Sequence, residues 1–251
     1  MNIILIAAIL FVCLVGAALL GRRVHRYLPE AHLSADSRDA VKLAMGLVAT
    51  MTALVLGLLV SSAKGAYDTK RSEVIQMAAK VAFLDRLFSL YGPEAAEARA
   101  GFREAVEEAV RQMWPDEASA PAHLAPDTQA GNVVYVAVQN LSPHDDTQRK
   151  LKEQAITLAS ELGQLRSLLA AQSVASISKP MLIILVSWLV VIFLGFSVLA
   201  PPNPTVILAL MISALAVAGA IFLILELDQP FAGLIRISSE PMLNALHKLA
   251  K

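Results

Sequence analysis

The sequence predicts an all-α protein: four membrane-crossing helices, with a long extramembrane helical hairpin inserted between the second and third. Three observations carry that expectation. Residues 1–21, 43–63 and 180–225 contain no Asp, Glu, Lys, Arg or His. A proline cluster divides the last of these gaps. The segment between the second and third gaps is charged, and its apolar residues recur at heptad spacing. Composition agrees, with 56% of the 251 residues hydrophobic and 17% charged, where soluble domains carry about 45–50% and about 25%. Lysine plus arginine equals aspartate plus glutamate, 21 each, so no basic excess marks a nucleic-acid partner. The single cysteine, Cys13, excludes an intrachain disulfide and any multi-cysteine metal motif.

The first span is Ile3–Leu20, closed by Gly21-Arg22-Arg23. A spanning helix needs about 20 mostly apolar residues, and this stretch supplies them. A cleaved signal peptide would need a basic leader and a small-residue cleavage site. Met1-Asn2 offers no basic side chain, so the stretch is expected to remain as an anchor. The second span, Leu43–Ala63, is bounded by Lys42 and Lys64. The third gap of 46 residues is too long for one helix and contains Pro201-Pro202-Asn203-Pro204. Proline inside a helix removes a donor and clashes with the preceding turn, costing about 3 kcal/mol. The gap therefore reads as a hairpin, Pro180–Ala200 and Thr205–Leu225, and in lipid such segments must be helical to satisfy their own backbone groups.

Residues 64–179 carry 13 basic and 15 acidic side chains, polar enough for water. Val74, Met77, Val81, Leu84, Phe88 and Tyr91 step 3, 4, 3, 4, 3. Leu151, Ala155, Leu158, Leu162, Leu165, Leu169 and Gln172 step 4, 3, 4, 3, 4, 3. Both are seams for antiparallel helix packing. Gly92-Pro93 ends the first of these helices, and Ser142-Pro143-His144-Asp145-Asp146 opens the later one with acid at the positive end of its dipole. A further helix is expected over Glu94–Met113, then a surface loop over 115–131. Val133–Leu141 is β-branched but has no partner strand, so a buried helix is the expectation. No Pro or Gly interrupts Ala66–Tyr91, so the second span is expected to run on into the water as one rod. The chain divides accordingly into a first transmembrane pair over 1–63, an extramembrane helical domain over 64–179, a second transmembrane hairpin over 180–225, and an acidic turn with its C-terminal tail over 226–251.

No catalytic, cofactor-binding or metal-ligating motif is found. None of His25, His32, His123, His144 and His247 pairs with a carboxylate or cysteine at ligand spacing. Phosphate loops, nucleophile elbows and paired acids are absent, so an enzyme is not expected. What stands out lies in the spans. Thr50, Ala53, Gly57, Ser61 and Lys64 are spaced 3, 4, 4, 3 and form one helical stripe, with bulky Leu47, Met51, Leu54, Val55, Leu58 and Leu59 opposite. Small and hydroxyl side chains serve either close helix packing or the wall of a pore, where they leave room for an ion. Glu226-Leu227-Asp228-Gln229-Pro230-Phe231 places two carboxylates directly after the uncharged hairpin. It reads either as a polar helix stop or as a fixed acidic turn at a mouth, bonding a neighbouring helix or a cation.

Four segments carry a family resemblance: Met45-Gly46-Leu47 to Ala63-Lys64, Ser142-Pro143 with Gln164-Leu165-Arg166, Leu194-Gly195-Phe196 to Ala200-Pro201, and Glu226 to Phe231. They resemble the bacterial bestrophin-like membrane proteins, a group long known as a domain of unknown function, over most of residues 41–240. Leu227-Asp228-Gln229-Pro230-Phe231 is the most specific piece. The group is distantly similar to the bestrophins, pentameric anion channels whose second span lines the pore and whose fourth is followed by an acidic Pro-Phe turn. The resemblance implies a homo-oligomer in the bacterial cytoplasmic (inner) membrane that passes small anions. It implies Thr50, Ala53, Gly57, Ser61 and Lys64 on the pathway, and Glu226, Asp228, Gln229, Pro230 and Phe231 at its mouth. The chain departs from bestrophins in having a small, polar stripe where their necks are bulky, and a tail after Phe231 too short for a calcium clasp. The resemblance also puts the helical domain in the cytoplasm. Arg22, Arg23, Arg26, Arg38 and Lys42 in the first loop argue the opposite from the first span alone. Lys64, Lys70, Arg71, Lys179 and Arg236 on the other flanks nearly balance them, so charge does not decide the orientation, and the cytoplasmic placement is adopted. The competing function is a non-conducting scaffold or sensor whose helical domain binds a partner.

Overall fold

The computed structural model describes residues 3–27, 29, 35–115, 128–172, 179–201 and 203–249. Its elements are α1 (Ile3–His25), α2 (Ala35–Tyr91), a 3-10 turn (Pro93–Ala95), α3 (Ala96–Met113), α4 (Thr128–Gln139), α5 (Asp146–Ala171), α6 (Lys179–Leu199), α7 (Pro204–Leu227) and α8 (Glu240–Leu249). No strand occurs among the described residues. Four helices are long and apolar enough to cross a membrane: α1, α2, α6 and α7. The expected helix over Val133–Leu141 is α4. Most of the expected 115–131 loop, and the 173–178 link from α5 to α6, fall outside the described residues.

Two compact units account for the chain. The first comprises Met1–Ala66 with Ser176–Asp228. Here α1 packs on both α6 and α7, around Leu14, Leu185, Ala214 and Ile224, none of which touches solvent. Gly21 is where α1 and α6 approach most closely. A Cβ there would run into the Leu194 carbonyl oxygen and lie 3.0 Å from Ser197 Cβ. Beside it the Ser197 hydroxyl donates to the Ala18 carbonyl, and His25 Nδ1 donates to the Val198 carbonyl at 2.7 Å. A glycine that admits a neighbouring backbone, flanked by interhelical hydrogen bonds, is the packing chemistry of helices in lipid. It also corrects the expected helix end at Gly21-Arg22-Arg23: α1 continues to His25. The extra turn keeps its backbone bonds, and Arg22, Arg23 and His25 offset the negative end of the dipole.

The outside of this unit is apolar. Val12, Leu43, Leu54, Ile183 and Leu215 are each more than half exposed. A contiguous apolar surface of this kind needs lipid or a protein partner to cover it.

The second unit comprises Tyr67–Ala175 with Gln229–Lys251. All six residues of the Val74–Tyr91 seam are buried, and they share one core with Phe102, Val138, Leu158 and Leu169. Phe88 and Phe102 meet edge to face, centroids 5.8 Å apart. Lys80 pairs with Glu161 across the two seam helices. Arg99 grips Asp85 with two bonds, 2.5 and 3.2 Å, and that carboxylate holds the guanidinium pKa above its ordinary value.

Three helix ends in this unit are fixed by identifiable residues. Gly92, at φ +112°, takes a conformation that side chains disfavour. Asp145 caps α5 by accepting from Gln148 N at 2.6 Å. Gln148 in turn accepts from His144 N and donates to the Tyr91 carbonyl at the end of α2. Lys152 caps the end of α4 through the Gln139 and Leu141 carbonyls, both at 2.7 Å.

α2 is one uninterrupted helix of 57 residues, about 85 Å long at about 1.5 Å per residue. Its residues up to Ala66 belong to the first unit and those from Tyr67 to the second. The C-terminal tail, in turn, is not a loose end among its described residues. Met242, Ala245 and Leu249 of α8 are buried in the core of the second unit.

Candidate functional site

The α2 stripe is defined by what the rest of the first unit leaves uncovered. Met45, Thr52, Leu59 and Ala63 are the buried positions of this stretch. They fall on one face, because steps of 7, 7 and 4 nearly complete whole turns of about 3.6 residues. Thr50, Ala53, Gly57, Ser61 and Lys64 are all exposed in the single chain. At about 100° per residue they centre roughly 135° away from the buried face. A Cβ added at Gly57 would meet nothing within 4 Å, so this glycine admits no neighbouring helix of the same chain. The contrast with Gly21 is chemical: one glycine is needed for contact and the other faces open space. Leu47, Met51, Leu54 and Leu58 are exposed as well, on a second arc beside the small one. Of the residues expected opposite the stripe, only Leu59 is buried.

The hydroxyls on this helix are partly engaged with its own backbone. Thr50 Oγ1 donates to the Leu47 carbonyl at 2.8 Å, and Thr52 Oγ1 to the Val48 carbonyl at 2.7 Å. Thr50 therefore turns its oxygen lone pairs outward unless the hydroxyl rotates. Thr52 lies on the buried face and takes no part in the stripe.

The acidic turn is built in two parts. α7 ends at Leu227, with Asp228 N donating to the Ile224 carbonyl at 3.2 Å. Glu226 is 2% exposed and Asp228 half-buried. Gln229 is exposed, while Pro230 and Phe231 are buried. The following residues fold back on Pro230, whose carbonyl accepts from Ile237 N at 2.8 Å. Gly233, at φ +87°, makes the reversal. Trp114, which no motif flagged, holds this loop from the far end of α3. Its ring edge meets Phe231, and its Nε1 donates to the Ile237 carbonyl at 2.8 Å.

No group of three His, Cys, Asp or Glu that could hold a metal ion occurs among the described residues. The clear pKa shifts lie in the second unit and have structural causes. Glu108 is held below the usual carboxylate range by hydrogen bonds from Arg111 and Gln112. Tyr91 is raised by burial, then by Glu94 and Asp145.

A family model described as the Bestrophin-like domain matches residues 12–242. No curated protein matches the chain. Among solved structures the chain is similar to crystal structures of point variants of a bacterial Bestrophin homologue from Klebsiella pneumoniae. One is 14% identical, covering 97% of each chain with a TM-score of 0.65. Another is 12% identical over 96% of each chain, at 0.68. A third is 12% identical, covering 99% of this chain and 97% of the other, at 0.70. At these identities the likeness is one of fold.

Proposed function

Because this chain belongs to the Bestrophin-like domain family, we propose that it is a homo-oligomeric membrane protein conducting small anions, with residues 43–63 of α2 lining the pathway. In this reading α1, the start of α2, α6 and α7 span the bilayer, and their exposed leucines, isoleucines and valines face lipid or neighbouring subunits. Thr50, Ala53, Gly57 and Ser61 face the conduit, and Lys64 forms a basic ring at one mouth. Glu226 and Asp228 brace that mouth, with Gln229, Pro230 and Phe231 fixing the turn. The membrane is a bacterial cytoplasmic (inner) membrane with the helical unit on the cytoplasmic side, and the subunit number is five, both by analogy with the bestrophins.

The supporting observation is the exposure of the small stripe. Thr50, Ala53, Gly57 and Ser61 are exposed and a Cβ at Gly57 would meet nothing within 4 Å, although small residues at helical spacing ordinarily mean close packing. Small side chains around an axis leave room for a hydrated ion, and a basic ring raises the local anion concentration. The test uses Ser61→Cys in a Cys13→Ser background, since Cys13 is itself exposed. A charged, water-soluble thiol reagent should modify Ser61→Cys in reconstituted protein and block chloride current. A protected thiol together with silent bilayers would return the stripe to subunit packing and favour the non-conducting scaffold.

A further inference from the structure

At the end of the first unit formed by the α6–α7 turn lies a pocket of about 170 Å³ lined by Arg22 and His25 of α1, by Arg26 just after it, and by Ser197, Pro201 and Asn203, among others. We propose that this pocket seats a phosphate oxyanion, supplied by the headgroup of an anionic phospholipid.

Charge is the first ground. Arg22 and Arg26 line the pocket, and among the described residues no acidic side chain does. Basic residues at a helix C-terminus ordinarily offset the dipole from solvent. Arg22 does more than that. Its Nε is buried and has no hydrogen-bond partner. A buried guanidinium donor left unmade is costly; Arg22 also lines the pocket, where a phosphate is the anion that a planar guanidinium fork fits.

The remaining donors converge for identifiable reasons. Gly21 lets α1 settle against the Leu194 backbone, which carries Arg22 and His25 onto the end of α6. His25 donates through Nδ1 to the Val198 carbonyl, which fixes the ring and leaves Nε2 as its other polar atom. The first turn of α7 closes the lining with Val206 and Ile207, whose amides are bonded to the Asn203 carbonyl.

The surroundings select a lipid as the source of the phosphate. Leu19 and Leu20, one turn before Arg22 and Arg23, are more than half exposed, as is Leu208 beside the α7 wall. A cationic pocket beside an apolar flank matches a molecule with a phosphate at one end and acyl chains at the other. The inference rests on the chain lying in a bilayer but not on its conducting ions.

The test uses the full-length chain in detergent, titrated with dioleoyl phosphatidylglycerol and read as lipid adducts per subunit by native mass spectrometry. The wild type should retain this lipid in preference to phosphatidylcholine. Arg22→Gln and Arg26→Gln should each weaken retention about 10-fold, the loss expected for one charge-assisted hydrogen bond. Arg23→Gln, exposed and outside the lining, should retain lipid as the wild type does. Arg26 is itself exposed, so its variant remains informative should Arg22→Gln not fold. Displacement of the lipid by excess inorganic phosphate would keep the oxyanion chemistry but overturn the lipid source. Equal retention by all variants, or no preference over phosphatidylcholine, would overturn the proposal. The readout is an adduct mass, so a silent channel leaves it untouched.

Discussion

The Phe231 ring stands edge-on to Trp114, with centroids 5.9 Å apart and planes at 77°. The pair joins the first helix-free residues after α7 to the end of α3, and the Trp114 Nε1 bond to Ile237 closes the loop behind it. Such edge-to-face pairs add about 0.5–1.5 kcal/mol beyond the area they bury. Phe231→Ala should therefore destabilise the protein by about 3 kcal/mol, the usual cost of emptying a buried phenyl site. Trp114→Phe keeps a ring but strands the Ile237 carbonyl, and should cost about 1 kcal/mol. Thermal unfolding in detergent checks both. Equal melting of Phe231→Ala and wild type would show that the turn is not anchored by this ring.

Glycines on the apolar helices should respond to alanine in three different ways. At Gly21 the new methyl meets the Leu194 backbone, which cannot rotate away, and overpacking of this kind costs about 1–3 kcal/mol. At Gly195 it meets Met45 Sδ at 2.6 Å, the far end of a flexible side chain, so the loss should be smaller. At Gly57 nothing stands in the way, and alanine gains up to about 1 kcal/mol of helix propensity. The expected order of melting temperatures is Gly57→Ala highest, Gly195→Ala intermediate and Gly21→Ala lowest.

Tyr91 offers a pH dependence with a defined sign. Its hydroxyl is buried without a hydrogen-bond partner, and burial, reinforced by Glu94 and Asp145, raises its pKa. The neutral form is thus favoured in the fold. The unfolded chain releases the phenolic proton at a pH of about 10, earlier than the native state does. Stability from this group is complete below that pH and falls as pH rises through the window up to the raised native pKa. Tyr91→Phe should flatten the alkaline slope of stability measured between neutral pH and pH of about 11. Near neutrality it should be neutral or stabilising by about 1 kcal/mol, because it removes an unsatisfied buried hydroxyl.

Much of this architecture was legible because it rests on local pattern. Charge gaps located α1, α6 and α7 to within a few residues, and the lack of a breaker before Gly92 predicted the unbroken α2. The Val74–Tyr91 seam could be read because heptad spacing and burial are the same geometric fact. The start of α5 followed from Asp145 and Asp146 lying at the positive end of its dipole. What could not be read depends on contacts between distant residues. Nothing local tells that Gly21 serves an interhelical crossing and does not stop α1, or that Trp114 meets Phe231. α8 was different, since Met242, Ala245 and Leu249 carry a 3, 4 spacing that a tail reading passed over. In the stripe, periodicity placed Thr50 to Lys64 on one side of α2 but could not tell which side the other helices would cover.

That side carries the last prediction. Two exposed arcs run along the membrane-length part of α2, one of Thr50, Ala53, Gly57 and Ser61, the other of Leu47, Met51, Leu54 and Leu58. If ions pass along the small arc, added bulk there should obstruct them, whereas trimming the leucine arc should not. A Cβ at Gly57 meets nothing within 4 Å, so Gly57→Leu should fold and assemble while its chloride conductance in planar bilayers falls at least about 10-fold, as expected for a hydrophobic constriction that dewets. Leu54→Ala, equally exposed, should conduct as the wild type does. Unchanged current in Gly57→Leu, or loss of current only in Leu54→Ala, would move the pathway off the small arc. Mass measurement of the intact oligomer must accompany both, because a leucine that breaks assembly would abolish current without narrowing anything.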